Sequence, residues 1–341
     1  MAGENTYKEI VSQPDVWLAT TATLQQQADP LRAFYRDGQY DTIIYTGCGS
    51  TYFMALAAAA LTQQLTHIPA RGVPASEAWL YPNVVYQPGK RTLLIALSRS
   101  GETTETLRAG EAFKATGAGD FLTLSCYPDM PLAQMGTLNL VFPEAQEESI
   151  AQTRAYSALY LAVTVLAGLW GEQDNVFETM QTVAQTARRL MATYGALAAQ
   201  HGRDNRLDRF YFLGSGPRYG LASELNLKMK EMALCFSEPF HFLEFRHGPM
   251  SMVTPSTLIV GLLSDQNRDL EQAVLDEMRE RGAQLMVMAE TGGDVTFNSG
   301  VAEALRNVLY LPVGQLLAFE RSLHKSLDPD FPNNLDAVVK F

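Results

Sequence analysis

The sequence predicts an α/β protein made of two doubly wound halves, each a parallel sheet with helices on both faces. The first observation behind this is an internal duplication. An apolar run beginning at Thr42 ends in Gly47-Cys-Gly-Ser-Thr, and a similar run beginning at Arg209 ends in Gly214-Ser-Gly-Pro-Arg, 167 residues later. The second observation is alternation. In each half, short apolar runs alternate with helical segments, which is typical of strands buried on both faces of a parallel sheet.

The duplication continues beyond the glycine turns. Glu77 recurs at the same offset as Glu244, and the apolar run that begins at Thr92 recurs 166 residues later at Leu258. Matches that stay in register over about fifty residues indicate two copies of one structural unit.

The elements follow in order along the chain. Residues 6–39 are predicted to be helical, with Pro30 breaking the pattern. Each half then contains strand, helix, strand, helix and a third strand. The predicted strands are 42–46, 92–98 and 121–125, then 209–213, 258–264 and 284–288. The predicted domain limits are a helical segment at 1–40, a first subdomain at 41–200, a second at 201–330 and a Pro/Asn-rich tail at 331–341.

Helices between about residues 150 and 205 are predicted to join the two halves. Residues 155–170 carry no charge at all. A membrane-spanning helix needs about 20 apolar residues, so this run predicts a helix buried in a core or at a subunit interface.

Composition excludes several classes of protein. The chain has 341 residues and a formal charge of −11, from 26 basic and 37 acidic side chains. This balance argues against a nucleic-acid partner. Three cysteines give an odd count, and the first residues resemble no signal peptide, so a reducing cytoplasm and no membrane association are expected.

The strongest local signal is Ser98-Arg-Ser-Gly-Glu-Thr-Thr, which directly follows a buried strand and opens a helix. Such a loop directs main-chain N–H groups and the positive end of the helix dipole at one point. Ser98, Ser100 and Thr103 add three hydroxyls, and Gly101 permits close approach of a ligand. N-capping alone needs one hydroxyl, so the loop predicts a site for a phosphate monoester or another tetrahedral anion.

The second copy lacks these hydroxyls. It has Asp265-Gln-Asn-Arg at the corresponding place, and an acidic residue there would repel an anion. We therefore expect one anion site per chain, in the first half, at the carboxyl ends of the strands.

The turn that contains Gly47 and Gly49 is not a dinucleotide fingerprint. The third glycine position is Tyr52, and the next acidic residue is Glu77, so no nicotinamide cofactor is predicted. The turn instead offers main-chain amides, with the hydroxyls of Ser50 and Thr51, to phosphate or sugar hydroxyls. Cys48 has no evident base beside it and is predicted to be a small packing residue in the loop.

A predicted helix at 221–236 carries Glu224, Lys228 and Glu231 at i, i+4 and i+7, and therefore on one face. A charged stripe of this kind is either a solvated face with weak ion pairs or a proton-transfer pair in a half-buried cleft. The preceding Gly214 turn is expected to aim the stripe near the carboxyl ends of the strands.

His247 is followed by Gly248 and Pro249, which predict a turn and place this histidine well for acid–base or ring-opening chemistry, unless it is a surface or capping residue. No pair of histidines has metal-ligand spacing, so no metal is predicted. The nucleophile elbow of serine hydrolases is absent because Ser98, and not glycine, stands two residues before Ser100.

At these motifs the chain resembles the sugar isomerase (SIS) family, in particular the isomerase part of glucosamine-6-phosphate synthase and stand-alone glucosamine-6-phosphate deaminase-like proteins. The resemblance extends from about residue 6 to the tail. Its matching motifs are Gly47-Cys-Gly-Ser-Thr, Ser98-Arg-Ser-Gly-Glu-Thr, Gln152-Thr-Arg, Leu227-Lys-Met-Lys-Glu and Glu244-Phe-Arg-His-Gly-Pro. The family has two SIS subdomains of flavodoxin-like topology.

The resemblance implies a role for each matching residue. Glu231 matches the glutamate that moves a proton between C1 and C2, with Lys228 beside it. His247 matches the ring-opening histidine, which in the family comes from the neighbouring subunit, so a homodimer with shared active sites is implied. The implied substrate-binding residues are Cys48, Gly49, Ser50, Thr51, Ser98, Arg99, Ser100, Thr103 and Gln152.

Two departures from the synthase are visible. The chain has Ala2 where the synthase has a catalytic cysteine at the start of a glutaminase domain, so glutamine-fed synthesis is not expected. In the tail, the synthase has a lysine soon after Asn-Leu, whereas here Lys340 comes three positions late after Asn334-Leu335.

The expected function is isomerisation or deamination of an amino-sugar or hexose 6-phosphate, without a cofactor. Two alternatives stay open at this point. One is a deglycase that cleaves fructosamine 6-phosphates, and the other is a non-catalytic sugar-phosphate sensor.

Overall fold

The computed structural model of the chain describes residues 2–336 and Val338. Lys340, which the tail comparison singles out, lies outside the described residues. The α-helices are α1 Glu4–Gln25, α2 Ala28–Gly38, α3 Ser50–Thr66, α4 Ala75–Leu80, α5 Pro82–Val85, α6 Thr104–Thr116, α7 Arg154–Trp170, α8 Val176–Gly202, α9 Pro217–Ala233, α10 Phe242–Phe245, α11 Arg268–Glu280, α12 Glu303–Arg306 and α13 Leu311–His324. The strands are β1 Thr42–Gly47, β2 Ala70–Pro74, β3 Thr92–Ser98, β4 Gly119–Ser125, β5 Leu138–Val141, β6 Arg209–Leu213, β7 Phe236–Phe240, β8 Thr257–Leu262, β9 Gln284–Ala289 and β10 Val295–Thr296.

The chain forms two compact units, each built around one sheet. We call residues 15–147 and 154–181 the first-sheet unit, and residues 2–14, 148–153 and 182–335 the second-sheet unit. Neither unit is continuous in sequence. The domain limits at residues 40, 200 and 330 stay predictions.

Both sheets are parallel and have the same strand order, which confirms the predicted pair of doubly wound α/β halves. The first sheet has the order β2-β1-β3-β4-β5, and the second, read from its other edge, has the order β7-β6-β8-β9-β10. This is the flavodoxin-like order. The chain leaves β1 towards one edge and crosses to β3 on the other side, so the loops after β1 and β3 meet at the topological switch point. The loops after β6 and β8 have the same relation in the second sheet.

The six predicted strands are present, and the structure adds four that the sequence did not predict. β3 is buried at every position, so its apolar run is continuous. The four missed strands, β2, β5, β7 and β10, all lie at sheet edges. β2 has no fully buried residue, and β7 alternates between exposed and buried positions at its start. Half-exposed edge strands therefore lack the apolar signal that identified the central strands.

The helical segments differ from the prediction in detail. The N-terminal region forms two helices, and the break falls at Gln26–Gln27 rather than at Pro30. Pro30 lies in the first turn of α2, where its missing N–H has no intrahelical partner to lose. α7 is buried at every position from Ala155 to Trp170 and packs on α2 and α3, which confirms the predicted buried helix. No helix within residues 2–336 is long and apolar enough to cross a membrane.

Candidate active site

The loop between β3 and α6 has the geometry of an open anion-binding turn. The main-chain N–H of Gly101 donates to Ser98 Oγ at 3.0 Å, so the hydroxyl of Ser98 shapes the loop. Gly101 has a φ of 71°, in the left-handed region that favours glycine, and its added Cβ would lie 3.0 Å from Cβ of Met130. The main-chain N–H groups of Ser100 and Thr103 donate to no residue that the structure describes.

The hydroxyls of Ser100 and Thr103 lie 3.5 Å apart, and both side chains are half-buried. Thr103 is the N-cap residue of α6 but makes no capping hydrogen bond with its side chain. Simple capping therefore does not account for this threonine. Two open amides, two neighbouring hydroxyls and the N-terminus of a thirteen-residue helix together can hold an oxyanion.

Arg99, in this loop, is buried beside Glu147. Its side chain is 6% exposed, and Nη1 lies 3.6 Å from Oε2 of Glu147, which is fully buried. The carbonyl of Arg99 also accepts the main-chain N–H of Cys126 at 3.1 Å. Arg99 thus fastens the loop to the segment that follows β5. Glu147 carries no signal in the sequence, because it lies 48 residues from Arg99 and belongs to no recognisable motif.

The turn after β1 stands next to the Ser98 loop because β1 and β3 are neighbouring strands. Thr51 Oγ1 accepts the N–H of Cys48 at 2.9 Å and donates to the carbonyl of Cys48 at 2.9 Å, so its hydroxyl is used within the turn. Gly49 has a φ of 55° and open space around its Cα. Ser50 begins α3 and is buried.

Cys48 is a packing residue in this turn. It packs against the core cluster of the first-sheet unit, and its Sγ lies 3.7 Å from Oγ1 of Thr106. Burial raises the pKa of the Cys48 thiol to about 11. A thiol with this pKa is protonated near neutral pH, so it is a poor nucleophile.

In the second-sheet unit, Glu224, Lys228 and Glu231 form a buried charge cluster on α9 rather than a solvated stripe. The Lys228 ammonium lies 3.3 Å from Oε1 of Glu224 and donates a hydrogen bond to Oε2 of Glu231. The side chains of Lys228 and Glu224 are 0% exposed, whereas that of Glu231 is 19% exposed. Of the three side chains, that of Glu231 is therefore the one that reaches solvent.

The two carboxylates keep Lys228 charged. Burial by itself lowers the pKa of Lys228, but the charges of Glu224 and Glu231 and their hydrogen bonds outweigh it, so the pKa is raised above its usual value. The two carboxylates therefore favour the charged form of Lys228.

The position of this cluster corrects one expectation. α9 begins at Pro217 and ends at Ala233, three residues before the predicted end, because Leu234 adopts the left-handed conformation with a φ of 49°. Glu231 lies in the last turn, about 20 Å along the helix from the Gly214 turn at a rise of 1.5 Å per residue. A crossover helix runs antiparallel to its strands. Glu231 is therefore near the amino ends of β6 and β7, and not at their carboxyl ends.

His247 and Gln152 both belong to the second-sheet unit. His247 is exposed, and its ring makes no hydrogen bond to any described residue. Gln152 is half-buried, and its Oε1 is shielded from solvent without a hydrogen-bond donor among the described residues. Within the part of the chain that the structure describes, no group of three or more His, Cys, Asp and Glu side chains could hold a metal ion.

Comparisons with known proteins agree with this architecture. The SIS domain family model matches residues 39–169 and 205–313, one segment for each sheet. A glutamine–fructose-6-phosphate aminotransferase (isomerizing) of Pseudomonas putida is 29% identical over 311 residues, which cover 86% of this chain and 50% of the relative. A relative of the same name from Streptococcus pyogenes is 27% identical and is covered over 59% of its length. The chain thus spans about half the length of the curated relatives it matches.

Solved structures of similar fold cover the chain almost completely. A glucosamine-6-phosphate deaminase from Thermotoga maritima superposes with a TM-score of 0.84 and 25% identity, covering 98% of this chain and 99% of the other. A tagatose-6-phosphate ketose/aldose isomerase from Escherichia coli gives a TM-score of 0.87 at 22% identity, covering 96% and 95% of the two chains. Because the family model matches two segments that together cover more than half of the chain, one for each of two sheets with the same topology, this chain belongs to the SIS domain family.

Proposed function

We propose that the chain is an enzyme that moves a proton between C1 and C2 of a phosphorylated amino sugar, converting glucosamine 6-phosphate and water to fructose 6-phosphate and ammonia. The observation that carries this proposal is the α9 cluster. Lys228 is buried, and its two carboxylate neighbours favour its charged form, while Glu231 is the one member of the cluster with a partly exposed side chain. This arrangement suits a general base whose orientation is fixed by its neighbour.

In the proposed reaction the sugar ring opens, and the Glu231 carboxylate takes the proton from C2. The electron pair forms the C1–C2 double bond of an enolamine while the aldehyde oxygen gains a proton. Glu231 then returns its proton to C1, and the C2 imine that results is hydrolysed by water to the ketone and ammonia. Lys228 donates a hydrogen bond to Glu231 throughout and remains protonated.

The phosphate is proposed to bind at the loop between β3 and α6. The open N–H groups of Ser100 and Thr103 and their paired hydroxyls supply donors, and the N-terminus of α6 favours negative charge. The turn that contains Gly49 and Ser50, on the neighbouring strand, and Gln152, whose side-chain oxygen has no donor, are proposed to bind sugar hydroxyls.

The choice of deamination is supported by the Thermotoga maritima deaminase, which is matched over nearly its whole length. We further propose a homodimer in which the partner subunit's His247 assists ring opening, since this ring is exposed and has no partner among the described residues of its own chain. A location in the cytoplasm is also proposed, and three free thiols fit a reducing compartment.

The decisive experiment is proton NMR of the protein with glucosamine 6-phosphate in D₂O, with ammonium assayed on the same sample. We expect fructose 6-phosphate with one ammonium per ketose, and deuterium at C1 in those turnovers in which the protonated Glu231 exchanges with D₂O before the proton reaches C1. Glu231→Gln should abolish both signals while sugar-phosphate binding, measured by calorimetry, persists. Turnover by Glu231→Gln would overturn the assignment of the base.

The same measurement separates the alternatives. Proton exchange without ammonium would indicate an isomerase of another sugar phosphate. Release of an amino acid from a fructosamine 6-phosphate, with no reaction of glucosamine 6-phosphate, would indicate a deglycase. Binding without any exchange would indicate a sensor.

Shared active sites are tested by complementation. Glu231→Gln and His247→Ala homodimers should each be nearly inactive. Unfolding and refolding them together should restore about a quarter of the wild-type rate, because half of the dimers are mixed and each mixed dimer holds one intact site. No recovery in the mixture would contradict the shared site.

A further inference from the structure

The loop after β8, in the second-sheet unit, occupies the place of the anion loop but is already filled by a carboxylate. The main-chain N–H groups of Asp265 and Gln266 donate to Oε2 of Glu303 at 2.7 and 3.4 Å. Ser264 Oγ accepts the N–H of Asn267 at 3.0 Å, just as Ser98 accepts the N–H of Gly101 in the first loop. The turn therefore keeps its anion-binding shape, with an anion in it.

A buried guanidinium completes the pocket around this carboxylate. Oε1 of Glu303 accepts a hydrogen bond from Nη1 of Arg218, whose side chain is 5% exposed. Nε of Arg218 is buried and has no hydrogen-bond partner among the described residues. Arg218 lies in the first turn of α9, after the β6 turn. The carboxylate is thus held from both loops of the topological switch point.

The expected cause of anion exclusion, repulsion by Asp265, is not what the structure shows. The carboxylate of Asp265 pairs with Arg306, which also lies 3.2 Å from Glu290. The charge of Asp265 is therefore balanced by Arg306. The group that stands at the open N–H groups is Glu303, which lies 38 residues away in the chain.

The internal duplication allows the two loops to be compared residue by residue. At the offset of 166 residues, Asp265 and Gln266 correspond to Arg99 and Ser100. The N–H of Ser100 donates to no described residue, whereas the N–H of Gln266 is bonded to the protein's own carboxylate. The same turn is open in one sheet and closed in the other.

We propose that the second-sheet unit holds a second oxyanion site of the same design, kept closed by the Glu303 carboxylate, and that Glu303 thereby confines phosphate esters to one site per chain. The proposal rests on the proposed function only for the choice of a phosphate ester as ligand. Removing the carboxylate leaves two main-chain donors and the Arg218 guanidinium around a space of carboxylate size, which small oxyanions fit. The other terminal nitrogen of Arg218, Nη2, stays 3.9 Å from Oε1 of the buried Glu271.

The test compares Glu303→Ala with Glu303→Gln and the wild type, with inorganic phosphate as the probe in calorimetric titrations. The alanine variant should bind one more phosphate per chain than the wild type. The glutamine variant fills the same space, so its stoichiometry should equal that of the wild type. The difference between variants tests the second site, whereas the wild-type value tests the proposed first site, so the two proposals fail separately.

A second measurement tests the proposal even if the alanine variant folds poorly. Its thermal midpoint, or its refolding yield, should rise in phosphate relative to chloride of equal ionic strength, and by more than in the wild type and Glu303→Gln. An alanine variant that binds no extra phosphate, or whose folding responds equally to phosphate and chloride, overturns the proposal.

Discussion

Lys228→Met removes the only cation of the buried cluster on α9 and should destabilise the protein strongly. The formal charge of the cluster changes from −1 to −2, and Glu224, which is fully buried, loses the ammonium 3.3 Å away. Removing one partner of a buried pair costs about 3–5 kcal/mol. Methionine has a similar length and apolar stem, so most of the loss comes from the stranded carboxylates and not from a cavity.

Urea unfolding measures this loss, with Lys230→Met as the matched control. Lys230 is exposed on the same helix, so the same substitution there should change the free energy of unfolding by at most about 0.5 kcal/mol. Adding Glu224→Gln to Lys228→Met removes one stranded charge and should recover at least about 1 kcal/mol.

The pH dependence of the free energy of unfolding tests independently whether uncompensated negative charge causes the loss in Lys228→Met. Without the ammonium, two like charges remain side by side with no cation between them, so binding a proton favours the folded variant more than the unfolded chain. The deficit of Lys228→Met should therefore shrink as the pH falls from about 7.5 to 5. A deficit below about 1 kcal/mol that neither pH nor Glu224→Gln changes would refute the reasoning.

Three further predictions concern other parts of the chain. Replacing Ser100 and Thr103 together by alanine should raise KM for a sugar phosphate at least tenfold, because hydrogen bonds to a charged group contribute about 1.5–3 kcal/mol each, while urea unfolding stays unchanged. Burial lowers the pKa of His201 below its ordinary 6.5, although two nearby aspartates act to raise it. The unfolded chain therefore binds a proton more readily, and the free energy of unfolding should fall as the pH decreases below about 6.5. His201→Gln should make the free energy of unfolding depend less steeply on pH. The change in slope should be below about 1.4 kcal/mol per pH unit, the limit for one titrating group. Gly72→Ala places a Cβ 2.5 Å from the main chain of α3 and should cost about 1–3 kcal/mol, whereas Gly195→Ala, in a helix with open space, should stabilise by about 0.5–1 kcal/mol in thermal unfolding.

The sequence alone predicted the parts of the fold whose signal is local. Central strands such as β3 are continuous apolar runs because both faces are buried, and the recurrence at 166–167 residues revealed two copies of one unit. The turn at Ser98 was predicted as an anion site from adjacent hydroxyls and a glycine. Edge strands such as β2 and β7 escaped prediction because partial exposure removes that apolar signal.

The candidate site depended more on tertiary structure. The spacing of Glu224, Lys228 and Glu231 placed them on one face of a helix, but only packing decided that the face is buried and that Glu231 alone is partly exposed. The residues that engage Arg99 and Arg218, namely Glu147 and Glu303, carry no local signal, since they lie 48 and 85 residues from their partners.

The sequence by itself determined the secondary structure of the central strands, the duplication and the position of the turn at Ser98. Each of these depends on residues that are neighbours in the chain or recur at a fixed interval. The tertiary structure decided which turn is open and which charges are buried. Those properties follow from contacts between side chains that are far apart in the chain and meet only after the sheets and helices have packed. The local pattern of a sequence does not predict such contacts.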